Sequence, residues 1–348
     1  MEIILLTDKN NFFGQTRKPW VSIDTQKFIS NLSHYGINCK VSTFPLVAAS
    51  NEIPSNETIF YHFSQKENLR FYIKDVAEIL NQLNNKLIPS IDLLRSHENK
   101  GYQELLKKVR KVNSPKGYYI SCIDDILSIG LQFPFVVKTI DGSNGKGVFL
   151  CKNIDDVNKY LKQFRRLKLH EKLDLLRRKY LRKNKKYPEY PDYNNYKDYL
   201  EYKNYITKDI RFAVQEYIPG QLFDYRVLAI YDKYYVIKRH NRKGDFRASG
   251  AKNFDINFEI DDKLLSSAEQ FKNAFPDTPY LSMDIIFDNR DNQYKLLEFQ
   301  ALHFGINVIV KNNGYFSKKN GLWEKVYKRC AFEDELAYGL AKFLGVGS

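Results

Sequence analysis

Cysteine is scarce in this chain. Its four cysteines, Cys39, Cys122, Cys151 and Cys330, sit far apart with no C-x-x-C spacing, so neither a disulfide framework nor a thiolate metal site is indicated. Long apolar runs are missing as well. No stretch approaches the roughly eighteen residues of a membrane span, and the opening MEIILLTDKN offers only Ile3 to Leu6 before Asp8, too little for a secretory leader. These absences predict a protein of the reducing cytoplasm without a transmembrane segment. Two familiar phosphate loops are also absent. No G-x-x-x-x-G-K-[ST] occurs, and the glycine-rich stretch Gly142 to Gly147 lacks the third glycine of G-x-G-x-x-G.

What remains is an ordinary globular composition, 43% hydrophobic and 28% charged, in 348 residues, enough for two to three domains with more than one core. The net charge of +14 raises anionic partners. It is concentrated. From Lys159 to Lys208 sixteen basic residues stand against six acidic ones, which leaves only +4 for the other 298 residues. A nucleic-acid-binding body is therefore not expected. Leu161 to Lys186 reads as one basic helix with an apolar stripe at Leu167, Leu173, Leu176 and Leu181. Then Tyr187, Tyr190, Tyr193, Tyr196, Tyr199, Tyr202 and Tyr205 recur every third residue, a period that spirals slowly round a helix and lines one edge only of a polyproline-like chain. Two readings fit residues 159–208: a solvated insertion packing tyrosines on its own domain, or a docking segment for an anionic polymer, a carbohydrate or a membrane surface.

Before this segment, EIILLT, NCKVSTF, TIFYHF and KLIPS read as strands alternating with the helical patterns TQKFISNLSHYG and LRFYIKDVAEILNQLNN, which predicts an open, mostly parallel sheet. HENKGYQELLKKVRKV reads as a helix opening a second region. PFVVKTI and GVFLCK flank a glycine-rich hairpin. RFAVQEYIPG, DYRVLAIYDKYYVIKRH, LSMDIIFD and YKLLEFQ predict an antiparallel sheet, and AFEDELAYGLAKFLG a closing helix. The fold class expected is α+β with an α/β domain in front.

Two features carry chemistry. Lys138 ends a strand that runs into Gly142, Gly145 and Gly147, and glycine lets backbone N–H groups turn toward anionic oxygens, so the hairpin can fold over phosphates or serve only as a turn. Asp284 and the pair Glu298 and Gln300 lie in two successive apolar strands. Period-two geometry puts Glu298 and Gln300 on one face, and strand pairing would bring Asp284 beside them. Such oxygens suit Mg²⁺ carrying a nucleotide phosphate, unless they are ordinary exposed positions.

In order, Lys100 in ENKGYQ, Lys138 with GSNGKG, the hinge QEYIPG, DYR, KRH, GDFRASG, SMD and LEFQ resemble the ATP-grasp superfamily, and within it the RimK-like carboxylate–amine ligases. The resemblance implies an ATP-grasp fold at 94–348, with a small lid subdomain at 94–218 that includes the insertion 159–208 and a large subdomain at 219–348. Residues 1–93 look like the α/β pre-ATP-grasp domain. The resemblance further implies ATP and Mg²⁺. Lys100 and Lys138 would bind nucleotide phosphates, with Ser143, Gly145, Lys146 and Gly147 in the closing loop. Gln215, Glu216, Tyr217 and Ile218 would form the adenine hinge, Asp224 would hold the ribose, and Lys238 would join the nucleotide side. Arg226 and Arg239 would surround the transferring phosphate, Arg242 and Arg247 would clamp the carboxylate, and Asp284, Glu298 and Gln300 would hold the metal. Two departures stand out: Glu298-Phe299-Gln300 where the family commonly has Glu-x-Asn, and FRASG where it has an FRSN-like motif.

The activity implied is amide formation between small-molecule carboxylate and amine substrates through an acylphosphate. The segment from Phe71 to Lys108 is similar to ATP-grasp proteins of bacterial surface-polysaccharide clusters, which implies a uronic-acid or other sugar-linked substrate. An ATP-grasp kinase would use the same nucleotide residues, and an anionic-polymer-binding protein would rest on 159–208 alone.

Overall fold

The computed structural model describes residues 1–9, 12–14, 21–63, 66–121, 124–142, 145, 147–164, 167–181, 195–207, 211–250, 253–303, 305 and 307–346. The chain begins with β1 (Glu2–Thr7), α1 (Thr25–His34), β2 (Asn38–Thr43), α2 (Phe44–Ala49), β3 (Thr58–Tyr61), α3 (Glu67–Gln82) and β4 (Lys86–Ile88). Their strands form a parallel sheet in the order β2-β1-β3-β4, as the alternation of apolar runs and helical patterns predicts. α2 is not visible as a pattern in the sequence. Thr43 caps it by accepting from the Leu46 backbone, and a proline in its first turn costs no helical hydrogen bond.

α4 (Ile91–Ser96) and α5 (Lys100–Val109) lead into a four-stranded antiparallel sheet with the order β5-β8-β6-β7. It is built from β5 (Gly117–Ile120), β6 (Phe135–Thr139), β7 (Val148–Cys151) and the later β8 (Phe212–Glu216), with the short α6 (Asp124–Ser128) between β5 and β6. Between β7 and β8 lie α7 (Ile154–Phe164), α8 (Leu169–Tyr180) and α9 (Asn195–Ile206). The single basic helix expected over Leu161 to Lys186 is therefore corrected. Lys168 takes an extended conformation (φ −69°, ψ 162°) between α7 and α8. The expected stripe is inverted too: Leu173, Leu176 and Leu181 face solvent, and Leu175 is the buried leucine of α8. Tyr187, Tyr190 and Tyr193 lie outside the described residues. Tyr196 to Tyr205 are helical, with Tyr196 and Tyr205 exposed and Tyr199 and Tyr202 half-buried, the slow spiral that period three produces.

The C-terminal sheet has the path β13-β12-β9-β10-β14-β15. Its strands are β9 (Phe223–Ile230), β10 (Lys233–His240), β12 (Tyr280–Asp288), β13 (Gln293–Gln300), β14 (Tyr315–Lys319) and β15 (Leu322–Val326), with β11 (Phe254–Asp255) paired to β10. α10 (Asp262–Asn273) covers one face. α11 (Asn307–Lys311) and α12 (Phe332–Phe343) complete the chain. α12 packs closely on the sheet at Gly339, where a Cβ would come within 2.8 Å of Ile230 and Tyr280. One apolar core joins Ile3, Phe28 and Phe60 of the parallel layer to Leu228, Tyr280 and Leu336, so the first layer shares its core with the C-terminal sheet. No described helix is long and apolar enough to cross a membrane.

Candidate active site

The two antiparallel sheets face each other across a cleft of about 1050 Å³, counting its open mouth. One wall comes from β6 and β8. Val136 and Lys138 are two apart on β6 and so share a face, and Gln215 is the register partner of Val136 on β8. The other wall comes from β9, β12 and β13, with Asp224, Arg226, Asp284, Ile286, Leu297 and Glu298. The segment Glu216-Tyr217-Ile218 closes one side.

On the cationic wall, Lys138 is buried and donates to the Gln215 side-chain oxygen at 2.6 Å, while Lys100 donates to the Gly142 carbonyl at 2.7 Å. Burial pushes the Lys138 ammonium down to about 8, against the Glu104 carboxylate, which favours its charge. Behind it lies a network that the sequence did not disclose. Glu104 accepts from Lys107 at 2.9 Å and from the Gln215 amide at 3.1 Å, and Lys107 also donates to the Leu297 carbonyl at 3.1 Å. Glu104 and Lys107 are both buried, so each charge is tolerable only because the other is present.

That carbonyl is available because of a β-bulge. Asp284 pairs with Glu298 and Ile285 with Leu296, which leaves Leu297 as the extra residue. The bulge also lets the neighbours Leu297 and Glu298 both border the cleft. In an ideal strand they would point to opposite faces.

Opposite the lysines, four charges interlock. Arg226 grips Asp284 through Nε and through NH2 at 3.0 Å, and Arg239 donates twice to Asp224 at 2.7 Å and once to Asp284 at 2.9 Å. These two guanidiniums hold the Asp284 carboxyl well below the usual carboxylate range despite its burial, whereas burial raises that of Asp224. Glu298 makes no ion pair among the described residues.

Other predicted positions sit as follows. Arg247 lines the cleft and ties it shut: its side chain meets Asp245 at 2.6 Å and donates to the carbonyls of Gly145 at 2.8 Å and Val148 at 3.2 Å, a latch from the loop after β10 to the glycine-rich hairpin. Gly147, at φ +72°, must be glycine, because a Cβ there would strike Thr139 Oγ1 at 2.0 Å. Glu216 accepts from Arg290 at 2.7 Å through its side chain. Lys238, Arg239 and Arg242 are not among the cleft-lining residues; Lys238 lies over the Phe223 ring at 4.0 Å, Arg239 reaches the cleft only through Asp224 and Asp284, and Arg242 donates to the Ser249 carbonyl at 3.3 Å. Ser143 and Lys146 lie outside the described residues. Gln300 sits beside the cleft with its amide oxygen 3.2 Å from His97 Nδ1 and its nitrogen 3.5 Å from Glu298. Burial pushes the His97 imidazole down to about 3, so it is neutral and donates from Nδ1. In this geometry Gln300 presents nitrogen, not oxygen, to Glu298.

Sequence reasoning missed the apolar walls Val136, Val148, Ile286 and Leu297, which suit a flat aromatic ring between the sheets. Counting two residues from Lys138 and from Asp284 finds Val136 and Ile286. The donors fit a nucleotide with a hard cation: ammonium groups for phosphate oxygens, and the Glu298 carboxylate, which a Mg²⁺ ion would take along with phosphate and water oxygens, beside an Asp284 whose oxygens are shared with Arg226 and Arg239.

Residues 90–186 match a family model, the RimK-like ATP-grasp domain. Among solved structures the chain is similar to the D-cycloserine synthetase DcsG, at 12% identity and TM-score 0.54 over 99% of this chain and 100% of that one. It is also similar to a RimK domain ATP-grasp protein from Sphaerobacter thermophilus DSM 20745, at 10% and 0.54 over 98% of each. A third similar structure is D-alanine–D-alanine ligase from Bacillus anthracis, at 12% and 0.51 over 99% of this chain and 98% of that one. No curated protein matches the sequence. At these identities the structures speak for the fold alone: this chain has an ATP-grasp fold, and its residues 90–186 are similar to the RimK-like ATP-grasp domain.

Proposed function

We propose that the cleft binds ATP with Mg²⁺ and that the protein is an ATP-dependent ligase joining a carboxylate to an amine. The observation that carries this reading is the convergence on one cleft of two lysines from separate elements, Lys100 and Lys138, facing the strand-paired carboxylates Asp284 and Glu298 and the arginine Arg226, with Arg239 behind it on Asp224 and Asp284. Val136, Val148, Ile218 and Leu297 would hold the adenine, with the hinge backbone at its edge. Lys100 and Lys138 would neutralise phosphate oxygens. Bound by Glu298 and Asp284, Mg²⁺ would offset charge on the phosphates. Arg226 and Arg239 stand where charge accumulates as a substrate carboxylate oxygen attacks the γ-phosphorus. The bond to ADP breaks and an acylphosphate forms. An amine then attacks the acyl carbon, phosphate leaves with its electron pair, and the amine loses a proton. The Arg247 latch would keep the glycine-rich hairpin over this chemistry and water out of it.

The substrate class rests on narrower support. The likeness of the Phe71 to Lys108 segment to polysaccharide-cluster proteins favours uronic acids, and one similar solved structure is a D-alanine–D-alanine ligase, which favours amino acids. The test is ADP release across uronic acids, amino acids and peptide carboxylates, with and without amines, with product masses determined. An amide product supports the ligase. A phosphorylated product formed without amine replaces it with a kinase, and absence of nucleotide turnover on any acceptor removes both.

A further inference from the structure

The helical arm formed by α8 and α9 is built inside out. On a helical projection of α8, Leu169, Leu173, Leu176 and Tyr180 fall within about 60° of one another, and they are 73%, 58%, 51% and 55% exposed. The opposite face buries one leucine, Leu175, and is otherwise polar. Arg178 bonds Asp174 at 3.4 Å and Asp198 at 3.4 Å, and its guanidinium stacks on Tyr202 at 3.4 Å. An ordinary surface helix puts its apolar stripe inward. Here the ion pairs hold the arm together and the leucines are left outside, bordered by Lys168, Lys172 and Lys179 on one side and Arg177 on the other.

We infer that this face of α8 lies on an anionic lipid surface, the apolar stripe entering the headgroup boundary and the flanking lysines reaching lipid phosphates, while Arg177 stays paired with Asp174 at 2.6 Å. The occupant follows from shape and charge. A second copy would bring a like segment of sixteen basic and six acidic residues against this one, which repels it. A protein groove would contact the stripe but little of that spread-out charge, whereas an anionic plane meets both together. The stripe spans about 16 Å and ends on a tyrosine, the side chain suited to a boundary between oil and water. The inference is independent of the reaction proposed for the cleft.

The experiment is co-sedimentation of the full chain with vesicles of phosphatidylcholine alone and of phosphatidylcholine with about a third phosphatidylglycerol. Binding should appear on the anionic vesicles only and weaken with salt. The double variant Leu173→Glu, Leu176→Glu should lower it at least about tenfold, because it removes apolar insertion and adds repulsion. Both side chains are exposed, so the fold, followed by circular dichroism, and nucleotide binding should stay as in the parent. No binding at low salt overturns the inference. So does binding that the double variant leaves unchanged, which would mean charge alone, or a self-association of the parent that the double variant abolishes, which would assign the stripe to a second copy.

Discussion

Two ion networks in this protein look alike on paper and do opposite work. In the cleft, Arg226, Asp284, Arg239 and Asp224 interlock where little water reaches them. In the arm, Asp174, Arg178 and Asp198 interlock between two surface helices, with leucines outside them. Buried charge is expensive to desolvate, so the cleft network is a poor source of stability and a good means of fixing cations and carboxylates in place before substrate arrives. The arm's aspartates are 25% and 30% exposed against 11% and 12% for those of the cleft, so they cost less to hold and the arm can use ion pairs as its inner seam. The difference teaches that burial, not residue type, decides what an ion pair does.

The comparison breaks most visibly at Glu298, the cleft carboxylate with no ion pair among the described residues. Glu298→Ala should lower ATP turnover by about 10²–10³-fold, the usual range for loss of one group stabilising transition-state charge. Its circular dichroism should match the parent, because the position is only half-buried. Turnover near the parental value at saturating Mg²⁺ would remove Glu298 from the site. Next in size is Arg239→Leu, which strips Asp224 of its partner and Asp284 of one of two. A loss of about 3 kcal/mol in urea unfolding is expected, because a buried carboxylate left alone keeps its desolvation cost. A loss under about 1 kcal/mol would show that water reaches these carboxylates.

A third prediction turns on proton binding. Below about 8 the buried Lys138 is charged and can meet a phosphate; as pH rises through that value the proton leaves and nucleotide affinity should fall. The fold responds in the opposite sense. The unfolded chain keeps this proton to its ordinary value of 10.5, so between about 8 and 10.5 the unfolded state holds more protons, and the Lys138 contribution to stability rises with pH. Calorimetry near pH 9, in buffers of differing ionisation enthalpy, should register proton uptake on nucleotide binding. Glu104→Gln should move the affinity limb to lower pH, since that carboxylate favours the charged lysine. A limb that stays in place would separate the Glu104 network from Lys138.

How much of this was legible differs between the two regions for a physical reason. Two successive apolar strands let Asp284 be expected beside Glu298, and the strand register pairs them. The sequence could not show the extra residue at Leu297, because a bulge is a property of two strands in register and not of either sequence. Nothing in the sequence marks Glu104 and Lys107, three residues apart on a helix, as buried; the β8 and β13 strands packed over α5 do that. The hairpin of β14 and β15 did carry a signal that went unused, Asn320-Gly321, both at positive φ. In the arm, periodicity correctly grouped Leu173 with Leu176 but could not say which way the group faces. That depends on what packs against the other side, and there the partner is α9 with its aspartate and tyrosines.

The smallest effect expected is the one that sharpens the comparison. Arg178→Leu in the arm removes the same kind of side chain as Arg239→Leu in the cleft, and a bonding pattern just as rich: Asp174, Asp198 and the Tyr202 ring. Its cost should nonetheless be about 1 kcal/mol or less. Water can take over solvation of both aspartates, leaving mainly the loss of stacking over one ring. Raising the salt concentration should shrink the cost further, while the cost of Arg239→Leu should change little, because screening reaches exposed pairs and not buried ones. Urea unfolding of both variants at low and high salt measures this. Equal costs with equal salt responses would mean that the two networks share one dielectric environment, and the distinction drawn between cleft and arm would fail.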